Sequence, residues 1–493
     1  MLTGNRTFTV SNLQASNTVT VTTSTTSGTT RLDYISIYSE QPQSSPDLEN
    51  GTFDTPEFVH RITNQNLHAA TAADMVIIIP TSQKLLKEAQ RIKTLHEQHD
   101  SMRVNIVPAD ELYNEFSSGT PDANAYRRYM KMLYDRAQTD DDMPRYLLLM
   151  GDAAWDNRMR ISEWNNTSVD DFLLCYESEN SYNHTSCYVS DDYFGLLDDN
   201  EGSNLLTEKS DIAVGRITAR TVEEATIVVD KINSYINNKE AAIWQNTVCM
   251  MGDDGNQNRH MEDADSVAQL VETLHPDILV KRVMWDAFTR VSSATGNRYP
   301  DVTRLIRQQM EQGALIMNYS GHGRADAVSH EYALTLSDFN ITSGMRLPLW
   351  VTASCDIMPF DSQEDNIGET ALFNPQGGAI AFFGTTRTVY QPQNRLMNLS
   401  FTRQVLSLDE KGLMMPIGEA VRRAKTELVT TGIIVGYQKN GQPIWSTDKS
   451  ENKLQYSLLG DPALRLALPT NTIVVDSINH SAVLISGFRN LLI

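Results

Sequence analysis

The chain has 493 residues, too many for one ordinary domain, and 40% of them are hydrophobic, enough for sizeable cores and outside the balance of a disordered polymer. A formal net charge of -21 argues against nucleic acid, whose phosphates are held by clustered Lys and Arg, and against bare anionic membrane; it fits a solubilising surface and, in part, calcium, which takes carboxylate oxygens. No apolar run approaches the ~20 residues that span a bilayer, and Met1–Asn12 has no apolar leader, so an outside address implies a leader beyond this sequence and the chain reads as a fragment.

Residues 1–45 alternate Thr, Val and Ser (TFTV, NTVTVTTSTTS) and continue into LDYISIY, the period-two pattern of antiparallel strands. Residues 46–71, beginning within QPQSSPDLENG, read as a linker. At 72 the texture changes to α/β alternation. Met75–Ile79 is a continuous apolar run, as expected of a strand buried on both faces. Leu85, Leu86, Ala89, Ile92 and Leu95 follow at helical spacing. Strands are predicted at 103–107, 146–150 and 211–215, with a helix over 121–137. The polar stretch 152–210 is too long for an ordinary connection and reads as functional or disordered. Thr221-Val-Glu-Glu224 has the form of a capping box opening a helix through Asn237.

A second α/β set covers 241–468. Its strands are predicted at 247–251, 278–284, 314–319, 348–353 and 378–384, its helices near 259–273, 300–312, 366–373, 394–407 and 416–430, and short strands surround Gly460-Asp461-Pro462. The fold class expected is α/β: open, mostly parallel sheets flanked by helices in two adjacent subdomains, 72–240 and 241–468, or one sheet in two parts. Asn471–Val475 and Ala482–Ile485 read as the first strands of a β-sandwich over 469–493.

Four cysteines are few for a disulfide scaffold. Cys175 and Cys187 either bridge a loop or sit unpaired in the core, and the redox compartment stays open. No zinc spacing and no phosphate-binding loop occurs. Asp191, Asp192, Asp198, Asp199 and Glu201 read as a solvated loop or as calcium ligands, without an EF-hand pattern.

In an open α/β sheet, ligands bind beyond the carboxyl ends of the strands. Two reactive side chains fall there. The strand through Tyr319 runs into Ser320-Gly321-His322-Gly323, and the strand through Ala353 runs into Ser354-Cys355-Asp356. If these strands are parallel, His322 and Cys355 share one edge, and their 33-residue separation fits one short crossover. A cysteine next to an imidazole is a nucleophile paired with an acid–base group. Glycines beside the histidine permit close backbone approach, and the amides of Gly323 and Cys355 form a candidate oxyanion hole. Asp253 and Asp254, after the strand 247–251, are the candidates for the third group that orients the histidine.

NYSGHG and TASCD resemble the His and Cys motifs of the gingipain family of caspase-like cysteine peptidases. YLLLMGD, SDDYFG, DIAVGRI and LLGDPALRL resemble that family's framework, and the resemblance runs over about 72–468. It implies a caspase-like fold, Cys355 and His322 as the catalytic pair, Gly323 as oxyanion donor and Asp254 as the acid that contacts the histidine. That acid is a Glu in gingipains, so the shorter Asp254 departs from the pattern. The family's specificity acid falls, counted without gaps, on Asp265; no substrate preference is read from it, and the substrate-binding residues stay unassigned. No cofactor is required, and structural calcium is a family feature.

NQNLHAATAADMVIIIP and YNEFSSGTPDANAYRRYMK resemble the family's secretion-associated branch, the sortases of the type IX secretion system of Bacteroidetes. That resemblance implies an enzyme at the outer-membrane surface, outside the cell. It cleaves C-terminal sorting domains from protein cargo and passes the new carboxyl end to an anionic lipopolysaccharide, alongside other secretion components. The alternatives are a general secreted endopeptidase and a catalytically silent adhesin or structural component; an intact His322 and Cys355 speak against the last.

Overall fold

The structure, a computed structural model, describes residues 64–469 apart from 181, 182, 184 and 295, together with two short paired strands, Ser477–Ile478 and Ser481–Ala482. The strands expected over 1–45 and at 471–475, and the sandwich start beyond Ala482, lie outside the described residues.

One ten-stranded sheet organises the described chain. Its strands are β1 Met75–Ile79, β2 Val104–Pro108, β3 Tyr146–Met150, β4 Ala213–Ile217, β5 Thr247–Gly252, β6 Leu279–Met284, β7 Ile316–Ser320, β8 Leu349–Ala353, β9 Ala381–Thr385 and β10 Tyr456–Leu459, in the order β2-β1-β3-β4-β10-β9-β8-β7-β5-β6. The central strands β1, β3, β5, β7, β8 and β9 are buried at every residue. Helices cover both faces, which is why these strands read as unbroken apolar runs rather than alternating ones.

The sheet is parallel within two halves, β2-β1-β3-β4 and β9-β8-β7-β5-β6. β10 joins them: it is antiparallel to β9 over four residue pairs and parallel to β4 through a single pair, Leu459 with Arg216. The halves therefore run in opposite directions, and their carboxyl ends lie on opposite edges.

The framework motifs turn out to be the joints. The fully buried Arg216 of DIAVGRI donates to both carboxylate oxygens of Asp191 in SDDYFG, at 2.7 and 2.8 Å, and to the carbonyls of Gly151 and Leu174. This pair fastens the long 152–210 segment onto β4. Asp461, after β10, accepts from His96 Nε2 at 2.7 Å, while Asp100 meets His96 Nδ1 at 2.7 Å. Burial alone would depress the His96 pKa, but the two carboxylates outweigh it and hold it up at about 10.

The expected helices form, several with bounds within a residue or two, such as Pro300–Gln312 and Arg259–Leu274. The capping box is present: Thr221 accepts from the Glu224 N–H, and the Glu224 carboxylate accepts from the Thr221 N–H at 2.9 Å. β4 lies two residues later than expected, because Asp191 neutralises Arg216 and lets the strand run past Gly215. Among the elements that go beyond the sequence reading are the helices Ala109–Phe116 and Leu336–Ile341 and the hairpin Ile433–Tyr437 with Pro443–Ser446. All four cysteines are free, so Cys175 and Cys187 follow the unpaired reading.

Candidate active site

In the second half, β5 connects to β6 on one side, and the chain then returns to place β7 on the other. A crevice opens at such a switch point, between the carboxyl ends of β5 and β7. β7 pairs with β8 in parallel register, Ser320 opposite Ala353, so His322 and Cys355 each leave the sheet two residues past the last pair, at the same edge. Their crossover is compact: a small three-stranded sheet (323–324, 327–328 and 334–335) and the helix Leu336–Ile341.

Cys355 opens a tight turn. The next residue, Asp356, has φ +46°, and its N–H donates to Arg387 O at 3.1 Å. A non-glycine residue held in the left-handed region is strained and needs support, which the segment after β9 supplies. The same segment receives the Cys355 thiol, which donates to Val389 O at 3.3 Å. Burial, with Asp356 adding to it, pushes this thiol above its ordinary range.

His322 is half-buried among aromatic partners. His330 stacks on it at 4.0 Å between centroids with an 8° tilt, and the His260 ring meets it edge-on at 4.8 Å. Burial lowers the His322 pKa; Asp253 opposes this, while His330 and His260 reinforce it. With the thiol raised and the imidazole lowered, each is biased toward its neutral form, in which His322 has a lone pair to take a proton.

Gly323 lies where a side chain has no room. A Cβ there would sit 2.2 Å from Ser354 Oγ, so the backbone after His322 packs directly on the side chain of the residue before Cys355. Ser329 N–H donates to His322 O at 2.8 Å, just before the small antiparallel ladder in which Gly323 opposes Val328.

The acids separate by one residue. Asp254 Oδ2 accepts from Tyr299 Oη at 2.7 Å and lies 3.8 Å from Arg290. The carboxylate that reaches His322 is Asp253, almost fully buried, whose Oδ2 accepts the His322 backbone N–H at 2.7 Å. Asp265 is partly exposed and paired with Arg282 at 2.8 Å, as its place on a helix surface implies. His260, His330 and Tyr319 were missed as site residues. His260 had a faint signal, opening a helix seven residues after Asp253; His330 had none, since a tight hairpin brings it back.

The acidic stretch also separates. Asp191, Asp192 and Asp199 are paired with Arg216, Lys425 and Lys131. Asp198 and Glu201 gather with Asp211, their carboxylate oxygens within 4.8 Å of one another.

The model for Peptidase family C25 matches residues 68–467. The chain belongs to this family. Its C25 domain has the gingipain fold, as solved structures show: the Arg-specific cysteine proteinase gingipain R, 14% identical over 84% of each chain with a TM-score of 0.59, and the complex of gingipain pro- and mature domains from Porphyromonas gingivalis, 14% identical over 82% of this chain and 83% of that one with a TM-score of 0.56. The C25 chain is also 27% identical to dimeric latent PorU from Porphyromonas gingivalis, over 83% of this chain and 31% of that one, with a TM-score of 0.48. No curated protein sequence matches it.

Proposed function

We propose that this member of the C25 family is a PorU-type sortase whose nucleophile is Cys355. The observation that carries a peptidase reading is that His322 and Cys355 leave the adjacent parallel strands β7 and β8 at the same sheet edge, with His322 at the switch point. The sortase reading rests on the resemblance of the segments 64–80 and 113–131 quoted above.

In this reading His322 takes the Cys355 proton as sulfur attacks the scissile carbonyl, and the N–H groups of Gly323 and Cys355 receive the oxyanion. His322 then protonates the leaving amine, which departs with the sorting domain, and a thioester remains. An amine on an anionic lipopolysaccharide attacks the thioester, transfers the cargo and restores the thiol. The enzyme works at the outer-membrane surface with other type IX secretion components. It needs no cofactor; a structural calcium belongs with Asp198, Glu201 and Asp211, a donor set of three carboxylates that suits a hard cation.

The test is incubation of the full-length protein with cargo bearing its sorting domain, with and without an amine acceptor, read by mass spectrometry. Cargo joined to the acceptor, and absent with Cys355→Ala, supports the sortase. Cargo ending in a free carboxylate despite the acceptor makes the protein a plain endopeptidase. Intact cargo under both conditions returns it to the silent adhesin or structural class.

A further inference from the structure

We propose that Asp253, clamped by His260, is the positioning residue for His322, and that Asp254 takes no part in orienting it. The proposal rests on His322 being the acid–base group of the site.

Every lone-pair direction of the Asp253 carboxylate that matters here is engaged. Oδ2 accepts the His322 backbone N–H at 2.7 Å, and the Tyr319 hydroxyl lies 2.9 Å from that oxygen and 2.7 Å from His322 O, its single proton shared between them. Oδ1 accepts the Gly255 N–H at 3.1 Å and the Nδ1–H of His260. On the far side of the His260 ring, Asn256 Nδ2 lies 2.9 Å from Nε2, so the ring is held from both its nitrogens. Burial would raise the Asp253 pKa, but the His260 hydrogen bond leads the effects that hold it below the usual carboxylate range. The result is a fixed negative charge holding the His322 N–H, with the Tyr319 hydroxyl between that carboxylate and the His322 carbonyl.

The ring itself is boxed in. A Cβ on Gly255 would lie 2.7 Å from His322 Cδ2 and 2.9 Å from Nε2, so the Asp253–Gly255 turn presses its backbone against that edge. His330 covers one face and His260 meets the ring edge-on. With the backbone held by Asp253 and the ring walled by Gly255, His330 and His260, the imidazole has one orientation to offer the thiol. A positioning acid that works through the main chain leaves both ring nitrogens unclaimed for proton transfer.

Several charged or titratable groups surround His322. They are Asp253 after β5, His260 and Asp263 on the helix Arg259–Leu274, Tyr319 on β7, His330 and Glu331 on the loop after it, and Cys355 and Asp356 after β8. Asp253 is the carboxylate among them that hydrogen-bonds to His322, so its removal should be read directly in the imidazole titration.

The experiment follows the His322 imidazole by NMR in the full-length Cys355→Ala protein, with the resonance assigned by comparison with His322→Gln. Asp253→Asn should lower the titration midpoint by roughly one pH unit, the effect of a nearby opposite charge lost, and Asp254→Asn should leave it in place. In the active chain Asp253→Asn should reduce kcat about 10–100-fold with little change in KM and move the acid limb of the rate profile to lower pH. An unmoved midpoint in an Asp253→Asn protein that melts like wild type overturns the proposal, as does a midpoint moved by Asp254→Asn. Should Asp253→Asn fail to fold, His260→Gln decides: it keeps the charge and releases one oxygen, so kcat should fall about 10-fold at an unchanged Tm, and a wild-type kcat overturns the proposal. The titration is read in a protein without the thiol, so it stands apart from the cleavage result that tests the dyad.

Discussion

Both halves of the sheet have a switch point, and the two are filled differently. In the first half the chain leaves β1 for β2 on one side and returns to place β3 on the other, so its crevice lies between the carboxyl ends of β1 and β3. There Pro80 and Leu173 close on Gly151, where a Cβ would lie 2.7 Å from Pro80 Cγ and 2.9 Å from Leu173 Cγ. Asp152 beside it is fully buried and paired with Arg220, whose guanidinium also donates to Ser362 O at 2.9 Å. In the second half the corresponding crevice holds Asp253, His260 and His322, with Cys355 one strand further, and both members of the dyad are half-exposed. An α/β half-sheet supplies a place for chemistry; whether it is used depends on whether the segments after its strands fill that place with apolar packing or leave reactive groups in it.

The strongest way to break this comparison is to remove the thiol. Cys355→Ala should reduce peptide cleavage more than about 10³-fold while thermal melting stays at the wild-type value, since a half-exposed side chain at a sheet edge contributes little to the core. Cleavage that survives the substitution would place the chemistry elsewhere. The opposite expectation holds for the first half: Arg216→Met should leave Asp191 buried and unpaired, costing about 3–5 kcal/mol in denaturant unfolding, with the folded fraction as active as wild type. Loss of activity at unchanged stability would mean that the first half takes part in catalysis.

Gly323→Ala sharpens the description of the open edge. The new Cβ must displace Ser354, so the Gly323 N–H moves relative to Cys355 and kcat should fall about 10²-fold, the effect of one impaired oxyanion donor. The joint between the halves has its own signature in pH. The folded His96 pKa is raised to about 10 against the ordinary 6.5, so its contribution to stability is complete below 6.5 and is lost as pH rises toward 10. Unfolding free energy should fall by about 1.4 kcal/mol per pH unit across that window, and His96→Gln should remove that part of the slope. The smallest effect belongs to Thr221→Ala, which opens the capping box at a cost of about 1 kcal/mol, measurable as a small drop in the denaturation midpoint with activity unchanged.

The site was legible in the sequence as far as strand ends carry it. NYSGHG and TASCD each follow an apolar run, and parallel pairing of β7 with β8 does bring their His322 and Cys355 to one edge. The choice between Asp253 and Asp254 was not legible. Adjacent residues in a turn point to different neighbours, and those neighbours, His322 and Tyr299, lie 69 and 45 residues away. His330 could not be found for the same reason: its role depends on a two-residue turn folding the chain back over His322.

What the sequence by itself determined is the set of local elements: unbroken apolar runs for strands covered on both faces, helical spacing, the Thr221 capping box and the placement of reactive residues just past strand ends. These depend on neighbours in the chain, and the chain carries them openly. The tertiary structure alone decided that β10 joins two half-sheets running in opposite directions, that Arg216 and His96 are buried joints, and which carboxylate meets His322. Those outcomes depend on charges and backbone groups brought together from distant positions, and burial makes each such pairing obligatory only once the fold has removed the water that would otherwise satisfy it.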